Sequence, residues 1–184
     1  MSFDKTDEEI IDLYKNGNKE VFKELIDKYT SPLFNFTARL TDKNNALDIV
    51  QDIFIKAWKG INRFDSTKAS FKTWLFTVAK NTTTDFLRKK KVILFSDIQS
   101  NEDLDFSETI EDENLLPDEV MQKLQDFELL NKLIDTLPVH YKTVLILHYQ
   151  EELTFDEIGK ILGKPLNTVK SYHQRAITKL REML

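Results

Sequence analysis

Cysteine is absent from this 184-residue chain, and histidine occurs only at His140, His148 and His173. Without thiols there are no disulfides or thiolate metal sites, and three scattered imidazoles do not make a zinc centre, so no metal and no cofactor is expected. Glycine and proline are scarce, four of each, which argues for helices. Neither a glycine-rich phosphate loop nor a nucleophile motif is present, so an enzyme with a small-molecule substrate is not expected. No apolar run approaches the ~20 residues of a membrane span. The start, MSFDKTDEEI, is acidic and lacks a secretory apolar core. The expectation is a cytoplasmic chain with no membrane insertion.

Charge is abundant, at 31% of residues, and it is unevenly placed. Residues 1–91 carry +4, residues 92–126 carry −10 and residues 127–184 carry +1, which gives the net −5. The acidity is confined to one segment, so the low pI does not argue against nucleic-acid binding by the parts on either side.

The stretch Leu153 to Leu180, LTFDEIGKILGKPLNTVKSYHQRAITKL, reads as two short helices joined by a tight turn, a helix-turn-helix over residues 154–173. Thr154 and Glu157 have capping-box spacing, and Ile158, Ile161 and Leu162 form an apolar stripe. Gly163 and Pro165 stop the first helix, and Asn167 is placed to cap the second. Val169, Tyr172, Ala176, Ile177 and Leu180 are expected inward. Lys170, Ser171, His173, Gln174 and Thr178 are expected outward, with Arg175 and Lys179 near the boundary. Such a face suits the major groove of DNA. Any helical hairpin with a solvated face has the same pattern.

Upstream, residues 7–29 show the periodicity of a helical pair around the turn Asn16–Gly17–Asn18. Residues 31–41 are expected to open a further helix, with Ser31 as cap and Pro32 at its first position. A helix from about Asn44 to Ile61 is expected to bury Ala46, Ile49, Val50, Ile53, Phe54, Ala57, Trp58 and Ile61. Ile55 stands among polar neighbours, beside Asp48, Gln51 and Asp52, which suits a protein partner. A solvated helix face is the equal alternative for the carboxylates.

In residues 62–91 a polar loop leads into a helix with the stripe Trp74, Leu75, Val78, Ala79, Phe86 and Leu87. Seven cations surround it, Lys68, Lys72, Lys80, Arg88, Lys89, Lys90 and Lys91, with Asn81, Thr82 and Thr84 as small polar neighbours. Basic side chains interleaved with aromatics can neutralise phosphates and stack on an unstacked base. A core helix with a basic end is the alternative. Residues 92–126 read as a flexible acidic linker. A short helix from about Pro117 and then Leu129 to Leu137 open the last part, and Pro138 interrupts it before the helix HYKTVLILHYQEE. The fold class is all-α: two small helical domains, residues 1–91 and 127–184, with the linker between them.

These stretches resemble the extracytoplasmic-function group of bacterial sigma factors. DIVQDIFIKAWKGINRFD and ASFKTWLFTVAKNTTTDFLRKKK are similar to that family's region two. LPVHYKTVLILHYQEELTFDEIGKILGKPLNTVKSYHQRAITKLREML is similar to its region four. Tyr172–His173 and Asn167 depart from the common pattern of the recognition helix. The resemblance implies a transcription initiation factor: a dissociable sigma subunit that binds core RNA polymerase, recognises promoter DNA and assists its melting. It implies polymerase binding for Asp48, Gln51, Asp52 and Ile55. Minus-ten contacts fall to Lys68, Ser70, Lys72, Lys80, Asn81 and Arg88, and minus-thirty-five contacts to Thr168, Lys170, Ser171, His173, Gln174 and Arg175. An anti-sigma factor is an expected partner. Two alternatives remain: an autonomous helix-turn-helix regulator, and a polymerase-bound adaptor without promoter reading.

Overall fold

A computed structural model describes residues 5–95 and 127–183, with side-chain detail for residues 5–89 and 132–183. Among the described residues all regular structure is helical, and the chain divides near residue 94 into two compact units. The expected linker, 92–126, and the helix expected from about Pro117 fall outside the described residues, except that residues 92–95 continue a helix of the first unit.

In the first unit α1 spans Asp7–Lys15 and starts on a complete capping box between Thr6 and Glu9. A turn through Gly17 leads into α2, Phe22–Leu40. The expected break at Ser31–Pro32 does not occur, and Pro32 lies inside α2. Leu25, Tyr29, Leu33, Phe36 and Leu40 are buried along one stripe that runs straight through the proline. Each buried side chain of that size contributes roughly 1.5–3 kcal/mol, and together they outweigh the ~3 kcal/mol that an interior proline costs. The next helix, α3, Lys43–Gly60, packs along α2. Its first turn is capped by Asp42, whose carboxylate accepts from the Asn45 backbone N–H at 3.0 Å.

Helix α4, Phe71–Phe95, completes this unit. Its inward side carries Phe71, Leu75, Phe76 and Ala79, with Thr73, Thr82 and Thr83 buried as well. Thr82 therefore belongs to the interior rather than the polar surface, and its hydroxyl accepts from Lys56 Nζ of α3 at 3.1 Å. Edge-on ring pairs set the depth of α4: Phe36 with Phe76 at 5.5 Å, and Tyr29 with Phe71 at 5.6 Å.

The second unit contains α5, Phe127–Thr136, and α6, Val139–Leu145, separated by Leu137–Pro138. A wider π-helical turn, Ile146–Gln150, extends α6 and closes with Glu151 N–H donating to the Ile146 carbonyl at 3.2 Å. Then come α7, Phe155–Leu162, and α8, Leu166–Glu182. Leu137, Tyr141 and Leu145 pack with Ala176 and Leu180, and Leu133, Ile134, Tyr172 and Ile177 flank them. The core thus fixes α8 against α6 along one stripe of α8, leaving its opposite face for other work.

Candidate polymerase and nucleic-acid interfaces

On α3 the buried positions Ala46, Ile49, Val50, Ile53 and Ala57 occupy one side. At about 100° per residue, the opposite side brings together Leu47, Gln51, Ile55 and Trp58, with Asp48 and Asp52 along one border. All six are exposed, Leu47 at 56%, Ile55 at 47% and Trp58 at 53%. Trp58 was expected in the core and is instead on the surface, because Ala57 and Ile61 fill the inward positions around it. Leu47 was not singled out in the sequence, although its spacing to Gln51, Ile55 and Trp58 carries the signal. Three large apolar side chains on one meridian, bordered by carboxylates, form a surface that water covers at a cost and a protein partner can bury.

Between α3 and α4 the loop from Phe64 to Ser70 is built from side-chain turns. Asp65 accepts from the Thr67 backbone N–H at 3.0 Å and from its hydroxyl at 2.7 Å. These bonds, with the nearby Lys68, hold the Asp65 carboxyl below its usual range. Lys68 is exposed and 3.6 Å from the same carboxylate. Phe64 is buried beneath the loop, against Phe71 and Trp74 at 5.7 and 5.5 Å. Ser70 caps α4, its hydroxyl accepting from the Thr73 backbone N–H at 3.2 Å.

Along α4 the remaining minus-ten candidates divide. Asn81 and Arg88 lie on the outward face, and half-buried Lys80 reaches Asn81 Oδ1 at 3.2 Å. Arg88 pairs with Asp85 at 3.2 Å. Lys72 is half-buried, its ammonium 5.9 Å from the centre of the Phe76 ring. The structure thus places Lys68 and Ser70 on the loop, both exposed, and Lys80, Asn81 and Arg88 along one stretch of helix, while Lys72 is half-buried.

The helix pair of the second unit is held at its start by the capping box. Thr154 N–H donates to Glu157 at 2.9 Å, and Glu157 N–H to the Thr154 hydroxyl at 3.3 Å. The turn is a Schellman closure: Gly163 has φ +63°, and Lys164 N–H donates to the Gly159 carbonyl at 3.0 Å. Gly159 is required for that approach, since a Cβ there would stand 2.9 Å from the Lys164 oxygen. Helix α8 then starts at Leu166, with Pro165 at the cap position. Asn167 lies inside the first turn rather than capping it, because proline's fixed φ already sets the helix entry.

On α8, Val169, Ala176 and Leu180 are buried, and Lys170 and Thr178 are exposed. Ser171 and Gln174 are partly exposed on the same outward side. Thr168 and Arg175 share the edge nearer α6. His173 departs from the outward placement: its Nε2 is 2.9 Å from the Tyr149 hydroxyl, and its ring lies 5.1 Å from Phe155. Burial and the neighbouring His148 push its pKa down to about 4. At neutral pH this imidazole is uncharged and braces the two helices.

Among the described residues no group of acidic, His or Cys side chains is arranged to hold a metal ion, and no helix is long and apolar enough to cross a membrane. The Sigma-70 region 2 family matches residues 25–92, and Sigma-70, region 4, matches residues 127–180. The ECF RNA polymerase sigma factor SigW of Bacillus subtilis is 34% identical over 173 residues, covering 92% of each chain. The ECF RNA polymerase sigma-E factor of Haemophilus influenzae is 29% identical over 190 residues, covering 100% of this chain and 96% of that one. The solved structure of the sigma factor RpoE from Bartonella quintana, in complex with the anti-sigma factor NepR, is similar with a TM-score of 0.64 and 26% identity, over 88% of this chain and 94% of that one. The chain belongs to the extracytoplasmic-function family of RNA polymerase sigma factors.

Proposed function

We propose that the first unit docks on core RNA polymerase through the exposed face of α3 and engages the minus-ten element through the loop after Phe64 and the outer face of α4, while α8 of the second unit enters the major groove at the minus-thirty-five element. Residues 1–91 and 127–184 are the two working domains, and the acidic residues 92–126 connect them. The observation that carries this reading is the α3 face, where Ile55 stands exposed with Asp48, Gln51 and Asp52 around it. An autonomous DNA-binding regulator has no use for such a surface on a separate unit.

The chain supplies no covalent chemistry in this scheme and acts in the cytoplasm, where the polymerase is. Lys68 and Arg88 neutralise phosphates, and Lys80 with Asn81 faces the unstacked strand. Melting costs a few kcal/mol for each unstacked step, part of which a held base returns. Two modest DNA contacts carried by one polymerase gain by effective concentration. The relative from Bartonella quintana was solved with an anti-sigma factor, and we infer a protein inhibitor of the same kind here, covering the α3 face.

Run-off transcription with purified core polymerase on a fragment library of the source genome tests the reading. Discrete start sites that appear only when the chain is added support it. Tight sequence-specific binding of the free chain to duplex DNA, with no polymerase dependence, would instead identify an autonomous regulator.

A further inference from the structure

Helix α8 has three kinds of surface, and the promoter reading above uses only one. Its outward face carries Lys170, Ser171, Gln174 and Thr178. One edge is braced by His173 against Tyr149. The other edge faces α6, and there the His140 ring meets Tyr141 edge-on at 4.1 Å and Tyr172 at a tilt at 4.9 Å. Lys179 reaches the same place, its ammonium 5.8 Å from the centre of the Tyr141 ring. Ser171, Gln174, Arg175, Thr178, Lys179 and Glu182 line one open groove that runs from the outward face to this edge.

A helix with its side chains is roughly 10–12 Å across, and the major groove is about 12 Å wide. A helix that lays its outward face on the base edges therefore has its flanks against the phosphate walls. On α8 one flank offers a neutral, half-buried imidazole; the other offers the cations Arg175 and Lys179, with His140 of α6 beside them. We propose that His140, Arg175 and Lys179 together seat one phosphate of the DNA backbone on the α6 side of α8, leaving base contacts to Lys170, Ser171 and Gln174. This rests on the sigma-factor reading above and moves Arg175 from base reading to backbone positioning.

The electrostatics agree with the geometry. Burial, then Lys179 and Arg175, hold the His140 pKa below its ordinary value, so in the free protein the ring is neutral at pH 7. The charges acting on it are those two cations of α8. Tyr141 of its own helix and Tyr172 contribute rings, Asp135 of α5 is engaged by Lys142 at 3.4 Å, and Glu182 lies one turn beyond Lys179. A phosphate brought to this place reverses the sign of the local field and favours the imidazolium. DNA binding then takes up a proton, and affinity falls as pH rises through neutrality.

The test uses reconstituted holoenzyme on a promoter fragment and on the same fragment with its minus-thirty-five element scrambled, measured across salt and from pH 6 to pH 8. His140→Ala and Lys179→Gln are expected to weaken binding to both DNAs in the same proportion and to reduce the salt slope by about one. His140→Arg, whose charge does not titrate, is expected to keep the affinity and abolish the pH dependence between 6 and 8. Unequal losses on the two DNAs, an unchanged salt slope or an unaltered pH profile overturn the phosphate seat while leaving the promoter reading in place. A wild-type holoenzyme with no preference between the two DNAs sinks the promoter reading itself. Thermal melting of each variant separates misfolding from lost contact.

Discussion

The Tyr149 hydroxyl stands 2.9 Å from Nε2 of His173, joining the turn after α6 to the middle of α8. Around this bond His148 stacks on Phe155 at 4.4 Å, and its Nδ1 is 2.9 Å from the Leu153 carbonyl oxygen. The side chain that the family resemblance would make a DNA contact is thus committed to holding α8 at its angle. Replacing Tyr149 with Phe keeps the ring and removes one hydrogen bond, which should lower stability by about 0.5–1.5 kcal/mol. Urea denaturation of the full chain, followed by tyrosine and helix signals, measures this.

The pH dependence of stability follows from the same ring. His173 titrates near 6.5 in an unfolded chain and at about 4 in the folded one, so over that interval unfolding takes up a proton. Its contribution is fully present above pH ~6.5, declines as pH falls, and is exhausted below ~4. Because the ring is only half-buried, water screens part of the effect, and about 1–2 kcal/mol is expected rather than the full value of the shift. The denaturation midpoint should fall between pH 7 and pH 4.5, and His173→Gln should remove that part of the slope. An unchanged slope in the variant would assign the acid sensitivity to other groups.

On α3 the expected outcome is a separation of binding from folding. Ile55→Arg places a charge at the centre of the exposed Leu47–Gln51–Ile55–Trp58 face and touches none of the buried stripe. Affinity for core polymerase should drop by about tenfold or more, the ~1.4 kcal/mol that a central interface residue exceeds, with the melting temperature unchanged. Trp58→Ala should weaken binding in the same assay. If Trp58→Ala leaves polymerase binding intact, the interface is confined to the Asp48–Ile55 end.

Periodicity was enough to find α3 and the helix pair, and the Thr154–Glu157 box was legible as a four-residue pattern because its chemistry is local. What the sequence concealed depended on partners distant in the chain. Trp58 has a core residue's composition, and only its angle relative to Ala57 and Ile53 puts it outside. Thr82 reads as a solvent-facing threonine, yet it is buried and Lys56, 26 residues earlier, donates to its hydroxyl. Pro32 marks a helix start by local rules, and the buried stripe on both sides of it overrides them. His173 reads as an outward side chain by periodicity alone, because its bracing partners come from the turn after α6 and the start of α7.

The turn between α7 and α8 makes two glycines unequal in a way that can be measured. At Gly163 the backbone is left-handed, φ +63°, with no atom within 4 Å of an added Cβ. Gly163→Ala should therefore cost about 1–2 kcal/mol from backbone strain alone. At Gly159 the backbone is ordinary helix, yet an added Cβ would meet the Lys164 carbonyl oxygen at 2.9 Å and Val169 at 3.9 Å. That oxygen belongs to the main chain and cannot rotate away, so Gly159→Ala must push the start of α8 outward, an overpacking that typically costs about 1–3 kcal/mol. The displaced helix carries Lys170, Ser171 and Gln174 with it. Gly159→Ala should thus lose minus-thirty-five-dependent transcription at temperatures where the chain is still folded, whereas Gly163→Ala should lower the melting temperature and leave start-site choice unchanged. Equal effects of the two substitutions on start-site choice would mean that the closeness of Gly159 to Lys164 does not set the angle of the reading helix.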